Sequence, residues 1–224
     1  MSVRLPPPTG QYDTSYEAQR NRLIELFSNT VYEKGQDVGV YQPAKLIVSD
    51  ASFITTDTHT PTMGSLSWNT ADQTLDLGME YGVVQQIGEE QYARVQNNTG
   101  VTIPNGTVVG FIGAVPDSAL SIAPYLADGS QNSLNILGIM THDLPDTGQK
   151  GYCTTWGFVR GLNTSAFTLG DLLYASPTVA GGFTKVKPTA PNNVIPLAAV
   201  MKVGTTDGII FVRPTIEQDR KSVV

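Results

Sequence analysis

The sequence has little of what catalysis, metal binding and disulfide cross-linking require. It contains one cysteine, Cys153, and two histidines, His59 and His142, in 224 residues. One cysteine cannot form an internal disulfide, and metal sites of the cysteine and histidine kind need several ligands. An enzyme needs titratable groups that converge on one place. We therefore expect a protein that is not an enzyme, binds no metal or cofactor, and folds in a reducing compartment.

Positive charge is also scarce. Lys and Arg total 14 against 20 Asp and Glu, which gives a formal net charge of −6 and a pI near 4.8. Binding to nucleic acid needs clustered basic residues that neutralise phosphates, so we expect no nucleic-acid partner. The chain has no apolar run of the roughly 18 residues that a membrane helix needs. Its first residues lack the apolar core of a signal peptide. We therefore expect a soluble protein without a membrane partner.

Turn formers and short apolar runs are abundant instead. The 22 glycines and 14 prolines punctuate β-branched stretches, a composition typical of turn-rich all-β proteins. We predict a mainly β fold, a turn-rich β-sandwich or barrel domain over residues 64–214. It opens with a hairpin that turns at Asn69–Asp72. The other predicted strands are Gly82–Ile87, Tyr92–Gln96, Thr107–Ala114, Ser121–Pro124, Asn135–Met140, Gly151–Val159, Leu172–Ala175, Leu197–Val203 and Gly208–Val212.

The N-terminal part has a different pattern. Pro6, Pro7 and Pro8 impose an extended arm, and Thr14–Glu17 reads as a capping box that starts a helix at about Ser15–Lys34. The apolar stripe of this helix predicts packing on another protein or on its own domain, and a coiled coil is an alternative. We assign residues 1–40 to a docking arm with one short α-helix, 41–63 to a linker with one strand, and 215–224 to a C-terminal tail.

Four segments invite a chemical interpretation. His142 next to Asp143 suggests an acid–base pair, although neighbours in a strand point in different directions. Cys153, in an apolar strand, is expected to be a small buried side chain rather than a nucleophile. Asp128–Asn132 has oxygen side chains at alternate positions but lacks the glutamate that completes a calcium loop, which favours a polar turn. Gly157–Gly161 lacks the spacing of a phosphate loop and is interpreted as a site of bends or close chain approach.

A series of short segments, in order, carries a resemblance to a known family. They are Gly64–Asn69, Asp72–Asp76, Val84–Glu90, Val95–Gly100, Ile103–Gly106, Gly138–Ile139, Gly157–Ser165, Gly170–Tyr174 and Gly181–Thr184. Together they resemble tailed-bacteriophage virion proteins of the head-fibre, capsid-decoration and fibre-base type, over about Gly64 to Pro214. The segment Arg4–Asp13 is similar to the start of phage structural proteins, in which such an arm anchors the subunit to the particle. The resemblance implies a virion component that forms a homotrimer.

These observations together predict a structural virion protein. We expect it to attach to the phage particle through its N-terminal arm and to project the β-rich domain outward, as a capsid decoration or short head fibre. Its partners would be other virion proteins of the capsid, neck or tail, and it would assemble in the cytoplasm of the host bacterium. The candidate particle-docking residues are apolar or aromatic, and they are Leu5, Pro6, Pro7, Tyr12, Tyr16, Leu23 and Phe27. Alternatively, Tyr12, Tyr16, Leu23 and Phe27 complete the core of the chain itself.

Two other functions stay open at this point. The first is a neck or tail adaptor or short tail fibre with a receptor- or carbohydrate-binding role, in which Trp68 and Trp156 could stack on sugars. The strand patterns around both tryptophans indicate that they are half-buried, which disfavours this role. The second is an enzyme carried on the particle, such as a hydrolase, which would need paired acids or a metal in the structure.

Overall fold

The computed structural model describes residues 52–53, 55, 60–116, 119–146 and 148–215. The chain divides into two compact units, Met1–Ala51 and Ser52–Val224, and all described residues belong to the second. The predicted helix and all seven candidate docking residues therefore lie outside the described residues, as does most of the predicted linker. Those assignments stay predictions.

The described part of the chain is mainly β, as predicted. Its strands are β1 (Leu66–Asn69), β2 (Thr74–Gly78), β3 (Val84–Ile87), β4 (Gln91–Asn97), β5 (Val108–Val115), β6 (Ala119–Pro124), β7 (Ile136–Met140), β8 (Gln149–Leu162), β9 (Leu172–Ala175), β10 (Phe183–Thr184), β11 (Pro196–Lys202) and β12 (Gly208–Val212). Two single 3-10 turns, Glu80–Gly82 and Ser133–Asn135, complete the elements. The predicted hairpin and nine strands are confirmed, with ends that shift by at most three residues. Only the two-residue β10 was not predicted.

Five strands close into a barrel. The order is β8, β4, β6, β5 and β7, and β7 pairs back onto β8. The β4–β6 pair is parallel, whereas the other pairs are antiparallel. Val95, Ile122, Met140 and Cys153 are each 0% exposed and form the centre of the barrel core. The predicted sandwich or barrel is therefore a barrel in this part of the chain.

A second sheet extends from the same long strand. Its order is β10, β9, β11, β12 and β8, so the 14-residue β8 belongs to both the barrel and this sheet. The core beneath the second sheet includes Val159, Leu173, Leu197 and Ile210, all 0% exposed. Strand β8 thus places Cys153 in one core and Val159 in the other. This sharing joins the two cores into one β body.

A small antiparallel sheet precedes the barrel in the chain. It consists of β1, β2 and β3 in that order. Its first turn forms as predicted, because Asn69 Oδ1 accepts hydrogen bonds from the backbone N–H groups of Ala71 and Asp72, each at 3.0 Å. We call β1–β3 the small sheet.

No helix among the described residues is long and apolar enough to span a bilayer.

Candidate interaction surface

The small sheet reverses the usual distribution of polar and apolar side chains. On one face, Ser67 pairs with Asp76, which pairs with Gln86. These three polar residues are only 2%, 6% and 4% exposed. An antiparallel sheet with one solvated face normally buries its apolar side. Here the described chain buries the polar side.

The opposite face is apolar and reaches solvent. Strand pairing places its residues in two adjacent rows, which are Leu66, Leu77 and Gln85, and Trp68, Leu75 and Ile87. Leu66 is 46% and Ile87 45% exposed, and the others are half-buried. We call this set the outer face of the small sheet. Because it carries no charged side chain and groups its apolar residues together, it has the composition of a contact surface.

A buried carboxylate explains why the polar side faces inward. Glu90 follows β3, and its side chain is 0% exposed. Its Oε2 accepts hydrogen bonds from Tyr92 Oη at 2.7 Å and from the backbone N–H of Gln86 at 3.0 Å. Its Oε1 accepts one from Arg160 Nη1 at 2.5 Å. A buried charge with three donors and a counter-charge is compensated, so this carboxylate can anchor the small sheet to the barrel.

Arg160 ties the same region to the second sheet. Its Nη2 donates a hydrogen bond to Gln86 Oε1 at 2.7 Å, and its guanidinium lies 5.0 Å from the ring centroid of Phe158. Burial, together with the neighbouring Glu90 carboxylate, raises the pKa of the Tyr92 hydroxyl, which therefore remains a donor. The network thus fixes the position of the small sheet over β8 and directs the outer face away from the body.

A glycine permits the close approach between β8 and the segment that carries Glu89 and Glu90. Gly157 lies in β8 with φ of 109°, a conformation that glycine adopts readily. A Cβ atom there would lie 2.7 Å from the carbonyl oxygen of Glu89 and 2.7 Å from Cγ of Glu90. The interpretation of Gly157 as a site of close chain approach is therefore confirmed.

Asp76 is the least satisfied member of the buried face. Its Oδ2 accepts a hydrogen bond from Asn69 Nδ2 at 3.1 Å, whereas its Oδ1 and the hydroxyl of Ser67 have no partner among the described residues. Burial raises the pKa of Asp76, and the nearby Asp72 and Glu90 carboxylates raise it further. The polar side of the small sheet is therefore costly to bury. Among the charged groups that act on Asp76, Arg160 is the basic one.

His142 has a structural role. The backbone N–H of Tyr152 donates to His142 Nε2 at 3.0 Å, so Nδ1 carries the proton and donates to the Asp143 carbonyl at 2.8 Å. Burial lowers the pKa of His142, which favours this neutral form. The ring also stacks on Tyr81 with centroids 4.8 Å apart. The Asp143 carboxylate instead accepts a hydrogen bond from the Asn105 N–H at 2.8 Å, so His142 and Asp143 do not form an acid–base pair.

Two further sequence interpretations are confirmed. Cys153 is 0% exposed, and burial raises the pKa of its thiol, which disfavours the nucleophilic thiolate. Asp128 forms a polar turn, since its Oδ1 accepts the backbone N–H of Ser130 at 2.9 Å.

Trp156 belongs to an aromatic cluster rather than to a flat stacking platform. Its ring meets Phe211 edge to face at 5.3 Å, and Phe211 meets Phe158 in the same way at 5.2 Å. Trp156 is 41% exposed, and Trp68 is half-buried on the outer face of the small sheet. Perpendicular rings do not offer the coplanar faces on which an extended sugar chain would stack. The cluster therefore does not favour the sugar-stacking role considered for Trp156.

Sequence reasoning missed the Glu90–Arg160 contact, because 70 residues separate the two partners along the chain. The alternation in β1 is visible in the sequence, but it does not tell which side is buried.

No family model, curated protein or solved structure matches this chain.

Proposed function

We propose that this chain is a structural protein of a bacteriophage particle. It attaches to other virion proteins through the N-terminal arm, with Leu5, Pro6, Pro7, Tyr12, Tyr16, Leu23 and Phe27 as contacts. It projects the β-rich domain outward as a capsid decoration or short head fibre. The observation that carries the proposal is the outer face of the small sheet, an uncharged apolar surface held in place by a buried polar network. Such a surface supports an assembly role rather than a catalytic one.

We assign the outer face to contacts between copies of this chain in a homotrimer. Copies that each carry a net charge of −6 repel one another. A face without charged side chains lowers this electrostatic repulsion at the place where the copies meet. Five apolar side chains are fewer than the roughly 20–30 residues that a standard interface contains on each side. The outer face is therefore the apolar centre of a larger, closed contact.

The first experiment measures the oligomeric state. Sedimentation velocity of the full chain at micromolar concentration should give a trimer, and the double variant L66S/I87S should shift it towards monomer. The control L169S removes an apolar side chain that is 72% exposed and lies outside the small sheet, so it should leave the trimer intact. A monomeric wild-type chain, or an unchanged trimer in L66S/I87S, would refute the assignment of the outer face.

The second experiment tests attachment to the particle. The arm variant Y16S/L23S/F27S should still form the trimer but should be depleted from purified particles, as quantified by mass spectrometry against the major capsid protein. The L169S control should be incorporated normally. Normal incorporation of the arm variant would contradict docking through these residues, and absence of the wild-type chain from particles would overturn the virion role.

A further inference from the structure

A cleft of about 250 Å³ lies on the other side of the second sheet from the Trp156 cluster, where the barrel meets that sheet. Its walls come from the turn before β5, the end of β8 with the loop that follows, and the turn before β10. The side chains that line it include Asn105, Thr107, Asn163, Thr164, Phe167 and Phe183. None of the described residues that line the cleft is charged.

The walls are fixed by backbone hydrogen bonds. Val108 N–H donates to the Gly181 carbonyl, and Gly181 N–H donates to the Tyr125 carbonyl, both at 2.8 Å. Thr164 N–H donates to the Gly204 carbonyl, also at 2.8 Å. The turn before β10 needs glycine, since Gly181 has φ of 75°. The cleft is thus preformed, as small-molecule sites usually are.

Two polar groups in the cleft walls are available to a ligand. Asn163 is exposed, and its Oδ1 accepts hydrogen bonds from Ser165, which leaves its amide N–H groups to water or to a ligand. The hydroxyl of the half-buried Thr107 makes no side-chain hydrogen bond to the described residues. Asn105 shapes the wall instead, because its Nδ2 donates to the Arg160 carbonyl at 2.9 Å and its Oδ1 is buried where a ligand cannot reach it. An amide donor and a hydroxyl are therefore available beside two phenylalanine rings.

This combination selects a class of ligand. A charged ligand would find no counter-charge among the lining residues, and a purely apolar ligand would displace water from the Asn163 amide and the Thr107 hydroxyl without replacing its hydrogen bonds. A pyranose ring satisfies both conditions, because its hydroxyls pair with the amide and the threonine hydroxyl while its C–H face packs on an aromatic ring. The volume of the cleft is below the roughly 300–1,000 Å³ of sites for drug-sized ligands. A cleft of this size suits a single sugar ring.

We propose that this cleft binds one neutral sugar residue, with Thr107 and Asn163 as hydrogen-bonding groups and Phe167 and Phe183 as packing surfaces. This binding activity goes beyond the structural role and does not depend on the trimer or on attachment to a particle. With few polar groups in the cleft, we expect dissociation constants on the order of 1 mM.

The test uses the full chain and saturation-transfer-difference NMR with a panel of neutral probes. These are the methyl glycosides of glucose and galactose, N-acetylglucosamine and N-acetylgalactosamine. At least one should give a saturable signal, while glucose 6-phosphate and N-acetylneuraminic acid should give none. The absence of saturable binding by every neutral probe, or equal binding of a charged one, would overturn the proposal.

Variants locate the site. T107V removes one hydroxyl and keeps the methyl group near Gly181, and F183L removes a ring while it keeps apolar packing; each should weaken binding at least about tenfold. W156L, in the exposed aromatic cluster, is the matched control and should bind like the wild type. Thermal unfolding confirms that each variant is folded, and T107V alone suffices if F183L does not fold. Unchanged binding in T107V, or loss of binding in W156L, would refute the cleft as the site.

Discussion

Replacing Arg160 by methionine should destabilise the protein more than replacing its partner Glu90 by glutamine. The Glu90 side chain is 0% exposed, whereas the Arg160 side chain is 41% exposed. R160M leaves a buried carboxylate with only the neutral donors of Tyr92 and Gln86. E90Q instead leaves a guanidinium that already reaches water. The asymmetry follows from desolvation, since an unpaired charge is costly only where water cannot reach it.

The magnitude can be set from the geometry. Removing one partner of a buried ion pair costs about 3–5 kcal/mol, and the exposure of Arg160 places R160M at the lower end, about 3 kcal/mol at pH 7. E90Q keeps a hydrogen-bond acceptor and loses charge assistance, which costs about 1 kcal/mol. For a domain of this size each kcal/mol lowers Tm by about 2–4 °C. We therefore expect a decrease in Tm of about 6–12 °C for R160M and about 2–4 °C for E90Q.

Urea and thermal unfolding followed by tryptophan fluorescence would measure these differences. The double variant E90Q/R160M buries no charge, so its stability should recover to about that of E90Q. The surface pair of Lys202 and Asp207, 2.6 Å apart and largely exposed, provides the control: K202M should cause no measurable change. A loss in R160M no larger than in E90Q, or an equal loss in K202M, would refute the reasoning.

Three further predictions concern single positions. D76N should raise the free energy of unfolding at pH 7: burial raises the pKa of Asp76, so the wild-type fold gains stability as pH falls through that pKa. The difference should vanish in unfolding curves near pH 3, and a pH-independent difference would contradict it. G157A should cost at least about 2 kcal/mol, because its Cβ meets Glu89 at a positive φ. G170A, with open space around its Cβ at φ of 84°, should cost less in the same assay. Cys153 should react with a thiol reagent only as fast as the protein unfolds, whereas rapid labelling of the native state would contradict its burial.

Much of the strand content could be predicted from the sequence, because strands and turns depend on neighbouring residues. β-Branched and apolar runs marked the strands, and residues that tolerate special backbone angles marked the turns. The Asn69–Asp72 turn formed as predicted for this reason, as did the strand around Cys153. The N-terminal arm and its docking residues stay a prediction, since they lie outside the described part of the chain.

Only the tertiary structure decided how these elements combine. Nothing local in β8 indicates that it belongs to two sheets, or that β7 pairs back onto it to close the barrel. The sequence of β1 contains an alternation of polar and apolar residues, but which side is buried depends on a contact between Glu90 and Arg160, 70 residues apart. The cleft at Asn105 and Asn163 likewise needs two distant turns to meet. The sequence by itself determined the strands and turns, because local sterics and hydrogen bonds control them. Long-range pairing and the cost of an unpaired buried charge determined the barrel, the exposed apolar face and the cleft.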